Sequence, residues 1–490
     1  MRGDVAIARC LPGPTGPYPA FPYAPGEAFG ELPRVEPGPP NPVFAAVRSC
    51  LARLGLDRPN FGTPRWDPFG DFIQPGQQVL IKPNWVFHEN RGQGGFDGLV
   101  THTSVLRPVI DYVLRALDGR GRVIIGDAPL QSADFGTIVE RTAIERLANL
   151  LRSDAVPVEV RDFRENACEL DGRGRVAGHH RLAGDPDGYS TVDLGKASHL
   201  ADVADLSSRF RVTNYDPAVM RSHHSADRHE YLVAKAMLAS HVVINVPKLK
   251  THRKAGLTCC LKNLVGINGS KDYLPHHRVG PVARGGDEYC WPSFWKACAA
   301  RLTDRMEGAP ASNLHGVYSL AERACRRMAR CFQRDPYSEG SWHGNDTVWR
   351  MALDLNHLLE YARPDGTLAD VPQRRVFNVV DAVVAGEGEG PLRPDAVAAN
   401  FVLAGEMPAA VDACAARLVG LDPDRIPLVR NGLEVRRAAN GGILEVRLLD
   451  DSPSPGRQAL EEIEPVVRIR APAGWAGHVE LPHCLGPATQ

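Results

Sequence analysis

Between Val242 and Gly269 the chain reads VVINVPKLKTHRKAGLTCCLKNLVGING, a short run that holds Lys248, Lys250, His252, Arg253, Lys254 and Lys262. Ammonium groups hold oxyanions. An imidazole, with its ordinary pKa near neutrality, can both give and take a proton. Together they suit acid–base chemistry on a bound anion. From Tyr231 to Lys271 there is no Asp or Glu, yet seven Lys or Arg occur. The chain's 58 acidic residues in 490 would put about five in such a window, so the positive charge is locally uncompensated. A solvated basic loop is the plain alternative. Here the run is pinned between the β-branched Val242, Val243 and Ile244 and the apolar Leu261, Leu264, Val265 and Ile267.

Histidines gather around the same run: His223, His224 and His229 in RSHHSADRHEY, and His276 and His277 in LPHHR. We expect His252 and Lys262, with His223 or His224, to carry the acid–base chemistry. His223 and His224 are adjacent, so in an extended chain they face opposite ways and only one would act. Lys82, Asn84, Asp127, Lys248, Lys250 and Asn263 form the expected substrate-binding set. His276, His277, His343, Asp346, Asp381, Glu387 and Glu389 are candidate ligands for a divalent metal. Two of these groups have plainer uses. In SWHGNDTVW, Asn345 or Asp346 would cap the helix that follows. The stretch VVDAVVAGEGEGP lacks the Lys-Ser/Thr ending of a P-loop and opens onto no helix, so its carboxylates suit a hard cation or a salt bridge to the lysine loop.

These residues need elements that bring them together. QQVLIKPNWV, GRVIIGDAP, PVEVRDF and VVINVP are short buried strands, and SVLRPVIDYVLRAL has helical apolar spacing. Alternation of this kind means βαβ units and a parallel sheet, whose carboxyl edge binds ligands. The polar residues delivered at strand ends would then share one crevice. The expected fold is α/β, an open parallel or mixed sheet with flanking helices and two lobes around that crevice. Residues 1–45 read as a Pro-rich strap, with eleven prolines between 11 and 42 and Tyr18, Phe21, Tyr23 and Phe29 among them. The α/β core spans 46–275 with an excursion at 165–215. A mainly helical insertion fills 276–373, the core resumes at 374–430, and 431–490 holds a β hairpin around Asn440-Gly441 and a tail.

Composition removes several classes. A net charge of −1 and a pI near 7.0 argue against a nucleic-acid partner. No segment approaches the roughly 18 uncharged apolar residues of a membrane span, and the Asp-containing, Pro-rich N-terminus does not read as a signal peptide, so no membrane partner is expected. Eleven scattered cysteines without a CxxC pair imply reduced thiols in the cytoplasm and no iron–sulfur cluster.

Taken together, IKPNWV, THTSVLRPVIDYVL, VIIGDAP, VVINVPKLKTHRKAGLTCCLKNLVGI, VVDAVVAGEGEGPL and AGEMPAAVDACAARLVG resemble the DUF362 family over roughly residues 75–425. Some members carry ferredoxin-type cysteine motifs, which this chain lacks. A fainter likeness is to the lactate racemase family, which uses a nickel-pincer nucleotide. His252, Gly256 and Lys262 keep that family's order and spacing, but Thr258, Cys259 and Cys260 replace its Ser-Gly-Gly, which argues against that cofactor. The resemblance implies a shared site architecture. The leading expectation is an enzyme acting on a small anionic metabolite, a carboxylate or phosphate, by His/Lys acid–base chemistry, with a divalent metal as an optional aid. A thiol and histidine redox or metal-handling protein built on Cys259 and Cys260, and a non-catalytic anion-binding module, are the alternatives. The strap could serve a homodimer, which composition does not decide.

Overall fold

The computed structural model describes residues 2–13, 16–170, 176–308, 314–332, 336–450 and 456–484; strap residues 14–15, excursion residues 171–175 and tail residues 485–490 lie outside them. The central sheet has eleven strands: Arg2–Arg9 (β1), Gln78–Pro83 (β2), Arg122–Asp127 (β3), Val158–Asp162 (β4), Val242–Val246 (β5), Lys248–His252 (β6), Gly256–Thr258 (β7), Arg375–Glu389 (β8), Arg393–Gly405 (β9), Glu445–Leu449 (β10) and Arg457–Ala459 (β11). Their order is β11-β10-β1-β9-β8-β5-β2-β3-β4, with β6 on β8 and β7 on β6. Strands β8, β5, β2, β3 and β4 run parallel, while β9 is antiparallel to both β8 and β1. The fold is therefore mixed α/β with a large, mostly parallel sheet.

Period-two alternation sorts the strand residues between two cores. Val79, Ile81, Val123, Ile125, Val242 and Ile244 pack on one face, under helices Pro42–Arg53 (α1) and Thr103–Leu117 (α2). Leu80, Ile124 and Val243 pack on the other. There they meet helices Cys260–Asn263 (α3), Val348–Tyr361 (α4), Pro408–Leu418 (α5) and Pro427–Ala439 (α6). Both faces are covered, which is why these strands are apolar throughout rather than alternating. Among the described residues no helix is long and apolar enough to cross a membrane.

Three segments differ from the sequence-based expectation. The first nine residues are not strap, because β1 enters the sheet between β9 and β10. The strap proper follows, with Tyr18 and Tyr23 buried and Phe21 and Phe29 packed against the core. Residues 431–439 are helical, not the first arm of a hairpin. Leu428, Val429, Gly432 and Leu433 fall on one buried helical face, and that burial outweighs the alternation of LEVRR. The hairpin forms later, β10 with β11, after Gly441 and Gly442 turn the chain with positive φ. The 165–215 excursion makes small sheets of its own, Asn166–Leu170 with Val176–Arg181 and Tyr189–Asp193 with Glu230–Ala234, apart from the main sheet.

Candidate functional site

Strand β5 ends at Pro247, and β6 carries the chain on along β8. Lys248 and Lys250 lie on this one strand, but the pairing with β8 shifts register between them: Lys248 faces Asp381 and Lys250 faces Gly386. They end in different places. Lys248 is fully buried, ion-paired with Asp381 at 2.6 Å and donating to the Tyr18 hydroxyl at 2.7 Å. It fastens the strap and does not reach the cavity. Lys250 lies on the cavity and donates to the Leu99 carbonyl. The glycines of GEGEG serve this packing: a Cβ on Gly386 would meet the Gly98 oxygen at 2.6 Å and the Lys250 Cβ at 2.8 Å.

A cavity of about 270 Å³ opens at the carboxyl edge of the sheet. Lys250, Lys254, Lys262 and Lys271 line it with Arg91 and Arg253; Asp127 and Glu339 are its carboxylates. Both carboxylates lie near enough to favour the charged form of some of these lysines, Glu339 for Lys254 and Asp127 for Lys250 and Lys271. Each makes its direct ion pair elsewhere. Asp127 is paired with Lys82 at 2.7 Å, and Glu339 with Arg326 at 3.1 Å. Lys254 donates to the Thr213 hydroxyl at 3.0 Å, and Lys271 to the Val265 carbonyl at 3.2 Å. Among the described residues none of the four forms an ion pair with a carboxylate, and the Lys262 ammonium has no hydrogen-bond partner. Burial, then the neighbouring Lys271 and Lys254, pushes Lys262 down to about 7. Burial likewise brings Lys271 to about 7 and holds Lys250 well below the usual lysine range.

Two histidines face the same cavity in complementary tautomers. His252 Nδ1 accepts from the backbone N–H of Lys254 at 3.1 Å and of Ala255 at 3.2 Å, so its proton sits on Nε2. His276 lies 2.7 Å through Nδ1 from the Leu274 carbonyl, so Nδ1 donates and Nε2 keeps a lone pair. Burial, reinforced by Lys262, keeps both rings neutral, well below their ordinary pKa. Asn84 and Asn263 complete the wall, joined at 2.9 Å, with Asn263 Nδ2 tied to Asn245 at 2.8 Å.

The remaining candidates fall elsewhere. Lys82 supports the site from beneath through its pair with Asp127. His223 is bound to Glu230 at 2.8 Å and stacked on Tyr273, and His224 donates to the Tyr273 carbonyl at 2.8 Å. Neither lines the cavity: α-helix Pro217–His223 packs against the turn Lys271–Tyr273, Phe210–Arg211 and helix Phe294–Gly308, outside the cavity wall. His277, next to His276, is buried with no partner for its Nδ1 and does not line the cavity. The proposed metal ligands do not converge. His343 stacks on His478, and Asp346 binds Arg278, Trp349 and Arg350 while Asn345 caps α4. Asp381 holds Lys248, Tyr18 and the His102 N–H. Glu387 and Glu389 accept from the backbone N–H of Arg470 and Ala473, and Glu389 pairs with Arg253 at 3.0 Å. These acids clamp the C-terminal segment and the lysine loop in place.

Cys259, Cys260 and Asp412 form the one cluster of metal-ligating types among the described residues. Asp412 already accepts from the backbone N–H of Cys260 at 2.7 Å and of Leu261 at 3.1 Å, capping α3. Burial pushes the Cys259 thiol up to about 12, so both sulfurs are protonated core atoms.

Sequence reasoning gave site roles to Lys250, His252 and Lys262, left Lys254 in the basic run without a role, passed over Lys271 and Glu339, and assigned His276 to a metal. Lys254 and Lys271 both lie in the acid-free window from Tyr231 to Lys271, so the charge imbalance was the signal that could have found them. Glu339 comes from the helical insertion and left no local signal.

A family described as "Domain of unknown function (DUF362)" matches residues 79–184 and 170–417, which include every lysine of the cavity. The Thylakoid-associated protein sll1697 of Synechocystis sp. is 24% identical over 242 residues, 49% of this chain and 51% of that protein. The chain thus spans about half the length of this curated relative. With the family match extending over well more than half of its residues, the chain belongs to the DUF362 family.

Proposed function

We propose that this chain is an enzyme that binds a small anionic metabolite in the lysine cavity and moves a proton on it. One observation carries the reading: four lysines converge on a single cavity whose two carboxylates are already committed to other cations. A bound carboxylate or phosphate supplies the missing countercharge. The neutral His252 Nε2–H donates to the ligand, and the His276 lone pair accepts a proton from it. Lys262, near 7, holds or releases one at physiological pH. Isomerisation and proton abstraction beside a carboxylate both fit these parts. A divalent metal on Asp381, Glu387 and Glu389 is no part of this reading, since each is tied to protein groups. Eleven unbridged cysteines support a reducing, cytoplasmic setting.

The experiment is solvent-deuterium incorporation. A pool of small carboxylates and phosphate esters is incubated with the protein in D₂O and read by mass spectrometry. An enzyme labels at least one compound, and His276→Gln abolishes labelling while the compound still binds. Binding without labelling of any compound would instead favour the non-catalytic anion-binding module.

A further inference from the structure

The cavity is cationic at its floor and carries a group of half-buried apolar side chains nearer its opening, beside the exposed Arg91, Arg253 and Asn214, and this division narrows the class of anion. This narrowing rests on the anion-binding reading above. At the floor, Lys250, Lys262 and Lys271 are exposed by 0%, 7% and 5%. They come from three separate elements: β6, α3 and the short turn Lys271–Tyr273. No arginine joins them, since Arg91 and Arg253 are the more exposed of the lining cations. A carboxylate presents two oxygens in one plane, which the planar fork of Arg matches best. A phosphoryl group presents three oxygens in a tetrahedral array, and three separate point charges can each take one. Above the floor lysines, half-buried Val86, Leu130, Leu170 and Leu392 with buried Pro129 and Tyr215 give the cavity an apolar wall, or collar, that shares the opening with Arg91, Arg253 and Asn214. An inorganic anion would leave that collar unused.

We propose that the cavity takes a phosphomonoester, its phosphoryl group on the three floor lysines and its apolar body against the apolar wall.

The test is calorimetric titration of the full chain at pH 7 with three probes: inorganic phosphate, phenyl phosphate and benzoate. Phenyl phosphate is expected to bind about tenfold or more tighter than phosphate from its added apolar contact, and about tenfold or more tighter than benzoate from the third oxygen its phosphoryl group offers the floor lysines. Lys262→Met and Lys271→Met, which keep the side-chain volume, should weaken phosphate and phenyl phosphate alike by about tenfold or more. Leu130→Ser and Leu392→Ser should erase the preference for phenyl phosphate over phosphate. Benzoate binding as tightly as phenyl phosphate, and lost in Lys262→Met, would overturn the phosphoryl assignment and leave the anion reading standing. Equal affinity for phosphate and phenyl phosphate would overturn the apolar body. Indifference of every probe to both lysine variants would overturn the proposal together with the reading beneath it.

Discussion

Lys262 is the residue on which most of the chemistry turns. Its ammonium is buried without a protein partner and sits near 7, so its charge changes in the physiological range. An anion prefers the protonated form. Affinity for sulfate, whose own charge is constant there, should therefore be level below pH 7. It should fall above pH 7, by up to about tenfold per pH unit for each of Lys262 and Lys271. Lys262→Met should remove its share of that slope. The same shift has a consequence for stability. Between about 7 and 10.5 the unfolded chain binds a proton at Lys262 that the folded chain does not. Folding stability must then rise with pH across that window, and Lys262→Met should flatten the rise while stabilising the protein at pH 7. Urea midpoints at pH 7 and pH 9 check both effects; a midpoint that falls with pH in the parent, or a slope the variant keeps, would contradict them.

At the scale of elements, β6 shows what sequence could and could not give. That β5 ends at a proline and hands its cations to the sheet edge was legible, because β-branched runs and Pro247 carry strong local signals. Which lysine faces what was not legible, because a register shift against the distant β8, where Lys248 meets Asp381 and Lys250 meets Gly386, decides it. Lys248 and Lys250 accordingly predict opposite mutant behaviour. Lys248→Met strands the buried Asp381 carboxylate and the Tyr18 hydroxyl, and should cost about 3–5 kcal/mol. Lys250→Met removes an amine that has no ion-pair partner, so it should be far milder for stability and harmful to anion binding. Tyr18→Phe loses hydrogen bonds to Asp381 and Lys248 and should cost roughly 1.5–3 kcal/mol, with faster proteolysis in the strap. Thermal melts and limited trypsin digestion distinguish the three; equal losses for both lysine variants would refute the register argument.

Over the whole molecule, the alternating core and its parallel sheet could be read from period-two strands and helical spacing, whereas the closure of the site could not. His223 and His224 lie near the lysine loop in sequence, yet Glu230 and Tyr273 take up their rings outside the cavity. Glu339 arrives from the insertion and the clamps on Glu387 and Glu389 from the last thirty residues, all long-range contacts without a local trace. Trp475 completes this closure, donating to the Arg253 carbonyl at 2.8 Å while packing at 3.0 Å from the Cβ position of Gly256. Trp475→Ala should cost roughly 3–5 kcal/mol and loosen the lysine loop, seen as faster amide exchange over 250–258. The central claim is that the lysine floor is an anion site. Its most direct measurement is calorimetric titration of sulfate into the parent chain and into the Lys262→Met/Lys271→Met double variant. The account predicts saturable binding in the parent and its loss in a double variant that remains folded. No binding in the parent, or binding unchanged in the double variant, would contradict it.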